Sequence, residues 1–111
     1  MAHFLELKTI EEVNQFLVNN DVTFLFLSSE SCSVCHALWP KVQEMVSQFP
    51  QIKLAHIDVD QVKEVAGQFL VFTAPILLLF KGQKEVMRED RFVRMDQLRH
   101  RLESISIKST E

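Results

Sequence analysis

The chain has 111 residues, 47% of them hydrophobic and 24% charged, which is enough for one core and too short for two. Its 2 Gly and 3 Pro argue against disorder, and a formal net charge of -3 gives no global field that would draw it to nucleic acid or to an anionic membrane. The basic residues Arg88, Arg91, Arg94, Arg99 and Arg101 are interleaved with Glu85, Glu89, Asp90, Asp96 and Glu103, so that region reads as a solvated mixed surface.

Taken in chain order, Phe4 to Leu7 is a candidate short strand. Its neighbourhood lacks the basic start and apolar run of a signal peptide. No apolar stretch is long enough to span a bilayer. The expected compartment is the cytoplasm, where a structural disulfide is not expected. Thr9-Ile10-Glu11-Glu12 fits a capping box and opens a helix with Ile10, Val13, Phe16 and Leu17 on its apolar side. Val22 to Leu27 is a continuous apolar, β-branched and aromatic run suited to a strand buried on both faces.

A polar loop, Ser28 to Ser31, leads into Cys32-Ser33-Val34-Cys35-His36. Leu38, Val42, Met45, Val46 and Phe49 then fall on one helical stripe, closed by Pro50. Ile52 to Asp58 alternates as a strand, and Asp60 caps a helix carrying Val62, Val65, Ala66 and Phe69. Pro75 to Phe80 reads as a strand ended by Lys81-Gly82-Gln83. Glu85 to Glu89 pairs back as a hairpin strand with Val86 its clearest apolar position. Met95, Leu98, Leu102 and Ile105 mark a last helix, followed by a polar tail over 106–111. Strands separated by helices call for crossovers, a mixed sheet and helices on both faces, within a single domain spanning 1–111.

The cysteine motif admits three chemistries. C-x-x-C-H attaches c-type haem, but that wants an axial ligand, and Met45 and Met95 lie on core-facing stripes. A structural zinc site takes four ligands, and Cys32, Cys35 and His36 make at most three. C-x-x-C is also a redox dithiol, which needs its first cysteine exposed at a helix N-terminus and the second one turn later. Cys32 and Cys35 stand where that arrangement requires them.

With these residues in view, the chain resembles a thioredoxin over about residues 4 to 105. The resemblance rests on C-x-x-C, on Pro40 five residues after Cys35, and on Ala55-His56-Ile57-Asp58-Val59-Asp60. Most specifically, it rests on Ala66-x-x-Phe69-x-Val71-x-Thr73-Ala74-Pro75 followed by Ile76-Leu77-Leu78-Leu79-Phe80-Lys81-Gly82. It implies a thioredoxin-like α/β fold with four to five strands, flanked by helices on both faces. It also implies thiol–disulfide exchange with Cys32 as nucleophile and Cys35 as resolving thiol, with no cofactor and no metal. Ala74 and Pro75, joined by a cis peptide, would present backbone to an extended substrate, with Thr73 and Trp39 lining the groove. The implied partners are disulfide-containing substrates and a reductase that regenerates the dithiol. The alternative is a binding module of the same fold with redox-sensing or idle cysteines.

The chain departs from that pattern at several positions. Ser31 precedes the motif where Trp is usual, Ser33-Val34 replaces Gly-Pro, and Ile76 follows the proline where Thr is usual. Arg91 or a neighbour stands where a glycine is usual before the last helix. Phe26 falls at the position of a buried Asp that assists proton transfer, and His56 at that of an accompanying Lys. Resolution is then expected to be the slow step. Glu30, His36 and His56 are the candidates to assist it.

Overall fold

The computed structural model describes residues 3–109. Along the chain run β1 (Phe4–Leu7), α1 (Ile10–Asn19), β2 (Val22–Ser28), α2 (Ser33–Val46), β3 (Ile52–Asp58), α3 (Glu64–Phe69), β4 (Ile76–Lys81), β5 (Lys84–Glu89) and α4 (Met95–Ser109). The five strands form one mixed sheet in the order β1-β3-β2-β4-β5. β3 is parallel to both β1 and β2, whereas β4 runs antiparallel to β2 and β5.

The two faces follow from the period of two along each strand. Leu25, Leu27, Ala55, Ile57, Leu78 and Phe80 point to the side covered by α1 and α3. Phe24, Phe26, Leu54, Leu77 and Leu79 point to the side covered by α2 and α4. Every residue of β2 is buried, as its uninterrupted apolar run requires. Two residues of β2 are polar, Thr23 and Ser28; the Thr23 side chain is wholly buried, and its Oγ1 has no hydrogen-bond partner among the described residues. Thr23→Val replaces that hydroxyl with a methyl of similar volume. It is expected to raise stability by about 1 kcal/mol, read as a higher thermal midpoint; no gain would show that the hydroxyl finds a partner in solution.

A local signal accounts for the start of α1, and α2 ends short of the proline expected to close it. Thr9 Oγ1 accepts from the Glu12 amide at 3.1 Å, and Glu12 Oε1 accepts from the Lys8 amide at 2.7 Å, one residue earlier than a reciprocal box would have it. α2 ends at Val46, ahead of Pro50. Phe49 is buried from the turn that follows, and its amide donates to Val46 O.

Three further expectations are corrected. Asp60 does not cap α3, whose N-cap is Lys63 with no side-chain bond. Asp60 instead accepts from Ser29 Oγ at 2.7 Å, and the Asp58 carbonyl, which accepts from the Gln61 and Val62 amides, holds the turn. In β5 the more deeply buried residue is Met87, not Val86. The register passes from Leu79↔Met87 to Phe80↔Glu85, so Val86 occupies the bulge. The stretch expected as a polar tail over 106–111 is helical as far as Ser109, because α4 carries on past Ile105. Residues 110 and 111 lie outside the described part.

Candidate active site

β2 ends at Ser28, and the loop 29–31 hands the chain to α2, whose N-cap is Cys32 in an extended conformation. An N-cap side chain normally accepts from amides of the first turn, and here sulfur does so: the Cys35 amide donates to Cys32 Sγ at 3.1 Å. Cys32 is partly exposed and Cys35 is 2% exposed. The two are joined as a disulfide with Cα atoms 5.2 Å apart, inside the ordinary range for that bond. Among the described residues no group of three His, Cys, Asp or Glu side chains converges as a metal site.

The sheet brings a second segment to the same place. β2 and β4 are antiparallel with Leu27 opposite Ile76, so the end of β2 lies beside the start of β4. The Ala74–Pro75 peptide is cis, and Ala74 O lies 3.6 Å from Cys32 Sγ across 42 residues of sequence. Pro75 is buried, Ala74 partly buried and Thr73 exposed. Thr73 and Ala74 line a shallow groove with Ser29 and Phe72. Arg88 of β5 supports this segment from below, donating to the carbonyls of Phe69 at 2.5 Å and Leu70 at 3.2 Å. Its guanidinium is held above its ordinary pKa by the hydrogen-bonded Glu85 carboxylate, so it stays charged throughout.

A second cavity, of about 430 Å³, opens on the other side of the disulfide, with Cys35, Phe26, Ser28, Glu6, His56 and Trp39 among its walls. Trp39 packs there against Phe4, Phe26 and His56 with ring centroids 5.1, 4.9 and 5.2 Å away. His56 donates through Nδ1 to the Glu6 carboxylate at 2.7 and 2.8 Å, and its Nε2 is 2.6 Å from Ser28 Oγ. His36 donates through Nε2 to the Glu30 carbonyl at 2.9 Å, and the Glu30 side chain is exposed.

Of the residues expected from the sequence, Thr73 and Ala74 line the groove beside Cys32 and Pro75. Cys35 and His56 lie on the second cavity, and Trp39 lies on that cavity too and not in the groove; Phe72, Ser28 and Glu6 are additional. Phe72 could have been found as a large apolar residue stranded between Val71 and Thr73; it is 79% exposed beside the groove. Glu6 gives no local signal. It meets His56 only because parallel pairing sets Glu6 opposite His56.

A dithiol pair at a helix N-terminus, beside the backbone that precedes a cis-proline in a five-stranded mixed sheet, defines a redox-active disulfide site of the C-x-x-C type. The thioredoxin family model matches residues 5–104, and the chain belongs to that family. It is 41% identical over 105 residues to the thioredoxin-like protein YdfQ of Bacillus subtilis, covering 95% of this chain and 94% of that one. Thioredoxin-1 of Saccharomyces cerevisiae is 29% identical over 83 residues, 75% of this chain and 81% of the relative. A mutant thioredoxin from Halobacterium salinarum superposes with a TM-score of 0.82 at 26% identity, covering 92% of this chain and 89% of that one. The protein is a thiol–disulfide oxidoreductase of the thioredoxin type.

Proposed function

We propose that Cys32 is the attacking thiolate and Cys35 the resolving thiol, acting on disulfides of extended protein segments. Cys32 attacks a substrate sulfur to form a mixed disulfide. Cys35 then attacks Cys32, releasing reduced substrate and leaving the Cys32–Cys35 disulfide, which a reductase reopens. The observation that carries this assignment is the inequality of the two sulfurs. Cys32 is reachable and accepts an amide hydrogen at a helix N-terminus, where a thiolate is stabilised, while Cys35 is covered.

The groove beside Ala74 is where substrate binds. A strand laid along Thr73, Ala74 and Pro75 places its sulfur against Cys32, and Phe72 offers an apolar contact at the edge. Trp39 contributes from the wall of the cavity behind Cys35, holding the helix start against Phe26. A reducing compartment such as the cytoplasm suits the protein, because both of its cysteines belong to this one exchanging pair.

Reduction of insulin driven by dithiothreitol tests the assignment. Cys32→Ser is expected to abolish acceleration over the uncatalysed rate, and Cys35→Ser to accumulate a mixed disulfide at Cys32. If Cys32→Ser keeps most of the activity, the roles are wrong.

A further inference from the structure

Resolution requires Cys35, only 2% exposed, to lose a proton, and the carboxylate that the family resemblance leads one to expect there is absent, because residue 26 is Phe. The cavity that contains Cys35 nevertheless holds a continuous hydrogen-bonded chain. Ser28 Oγ lies 2.6 Å from His56 Nε2, and His56 Nδ1 lies 2.7 and 2.8 Å from the two oxygens of the Glu6 carboxylate. A carboxylate oxygen can only accept, so Nδ1 carries a proton toward Glu6. In the neutral ring Nε2 is then the accepting nitrogen, facing Ser28. This is a carboxylate–imidazole–hydroxyl order, in which the carboxylate fixes the tautomer and stabilises the imidazolium that forms when the ring takes a proton.

Strand register builds the chain. Glu6 of β1 pairs with His56 of β3, and Ser28 closes β2 next door, so the three residues sit on neighbouring strands. His56 is held further by the stacked ring of Phe26, 6.2 Å away, and by Trp39. The other titratable groups on the cavity walls, Glu30, His36 and Asp58, fit the task less well. The Nε2 of His36 is already committed as a donor to Glu30 O, the Glu30 carboxylate is exposed, and Asp58 Oδ1 accepts from the Asp60 amide.

We propose that Glu6, His56 and Ser28 are a proton relay for Cys35, replacing the missing buried acid; this deepens the thiol-exchange reading and rests on it. In the mixed disulfide, the Cys35 proton passes through water in the open cavity and Ser28 to His56 Nε2. The Cys35 sulfur then bonds to Cys32 Sγ. The bond from Cys32 to the substrate sulfur breaks, and its electron pair leaves with the substrate as a thiolate. The two cysteines are oxidised to the disulfide and the substrate disulfide is reduced. The imidazolium returns its proton to the departing thiolate or to solvent. His56 acts through this chain on Cys35 and positions the proton rather than attacking anything.

The reduced protein mixed with dithiobis(nitrobenzoate) under stopped flow separates the steps, since attack by Cys32 releases one coloured thiolate and resolution by Cys35 releases a second. His56→Gln is expected to leave the first phase within about twofold and to slow the second by about tenfold or more, in the range of a lost general base. Glu6→Gln and Ser28→Ala should also slow the second phase, by less, and thermal melting checks that all three variants stay folded. In His56→Ala, added imidazole should speed the second phase in proportion to its concentration while leaving wild type unchanged. A second phase unchanged in His56→Gln overturns the relay. Equal slowing of both phases, or no response to imidazole, makes the chain a tie between strands only and also overturns it. If wild type shows no first phase, or Cys32→Ser keeps it, the exchange reading itself fails and the relay with it.

Discussion

Phe26→Asp is expected to lower stability by about 3–5 kcal/mol, the range for removing a buried aromatic side chain, with a further penalty for burying a carboxylate. Phe26 is wholly buried in the middle of β2 and lies 4.9 Å from the Trp39 ring. A domain of this size has about 5–15 kcal/mol in total, so a folded but fragile protein should result. Urea denaturation of the reduced and oxidised forms measures it. A loss below about 1 kcal/mol would mean that the introduced carboxylate reaches the water of the cavity beside it. The same carboxylate would face Cys35 across that cavity and shorten the path for its proton. The folded fraction is therefore expected to resolve mixed disulfides faster than wild type around neutral pH.

The second large effect is the difference in reactivity between the two thiols of the reduced protein. Iodoacetamide reacts with thiolate, and its rate follows both exposure and thiolate fraction. Cys32 has the exposure, the helix N-terminus and the Cys35 amide at 3.1 Å, all of which favour its charged form. Cys35 is 2% exposed within the core of the α2 face. Cys32 should be alkylated first by about two orders of magnitude or more. Hydrogen bonding to the anion lowers a thiol's pKa, so the thiolate is already formed at lower pH. The midpoint of the alkylation profile should then fall below the ordinary thiol value of about 8.5. Peptide mapping after brief labelling, repeated across pH, decides the matter. Equal labelling, or a midpoint at or above the ordinary value, would remove the case for a tuned nucleophile.

How far the molecule could be read from its letters depended on the range of the interaction. Val22 to Leu27 announced a strand covered on both faces, because burial on both sides leaves no room for polar alternation, and β2 is buried throughout. Cys32 followed from a strand, a short polar loop and a helical stripe in succession, all local features. Asp60 misled because a carboxylate before an apolar stripe resembles a cap. Its actual partner, Ser29, is 31 residues away and on another strand's loop. Val86 reads as the clearest apolar position of β5, yet Met87 is the buried one, because a bulge exchanges which residue faces inward and no residue type marks it. The Glu6–His56–Ser28 chain was half visible: His56 stood out as a departure from the family, but its partners depend on parallel register over 50 and 28 residues.

The pairing of β2 with β4 also sets the polarity of the whole molecule. Their shared ladder runs from Leu27↔Ile76 beside the disulfide to Val22↔Lys81, where the Gly82 amide donates to Asp21 O at 2.6 Å and Gly82 turns the chain with a φ of 61°. The five residue steps from Leu27 to Val22 span about 17 Å of strand, so the hairpin lies at the pole opposite the sulfurs. Gln83, exposed at its tip, is thus a natural point of attachment. A protein tethered there to a bead or an electrode would face its disulfide outward, toward the solution it is meant to sample. The same linker placed between Ser28 and Cys32, or between Val71 and Ala74, would prise apart the two edges that meet at Cys32.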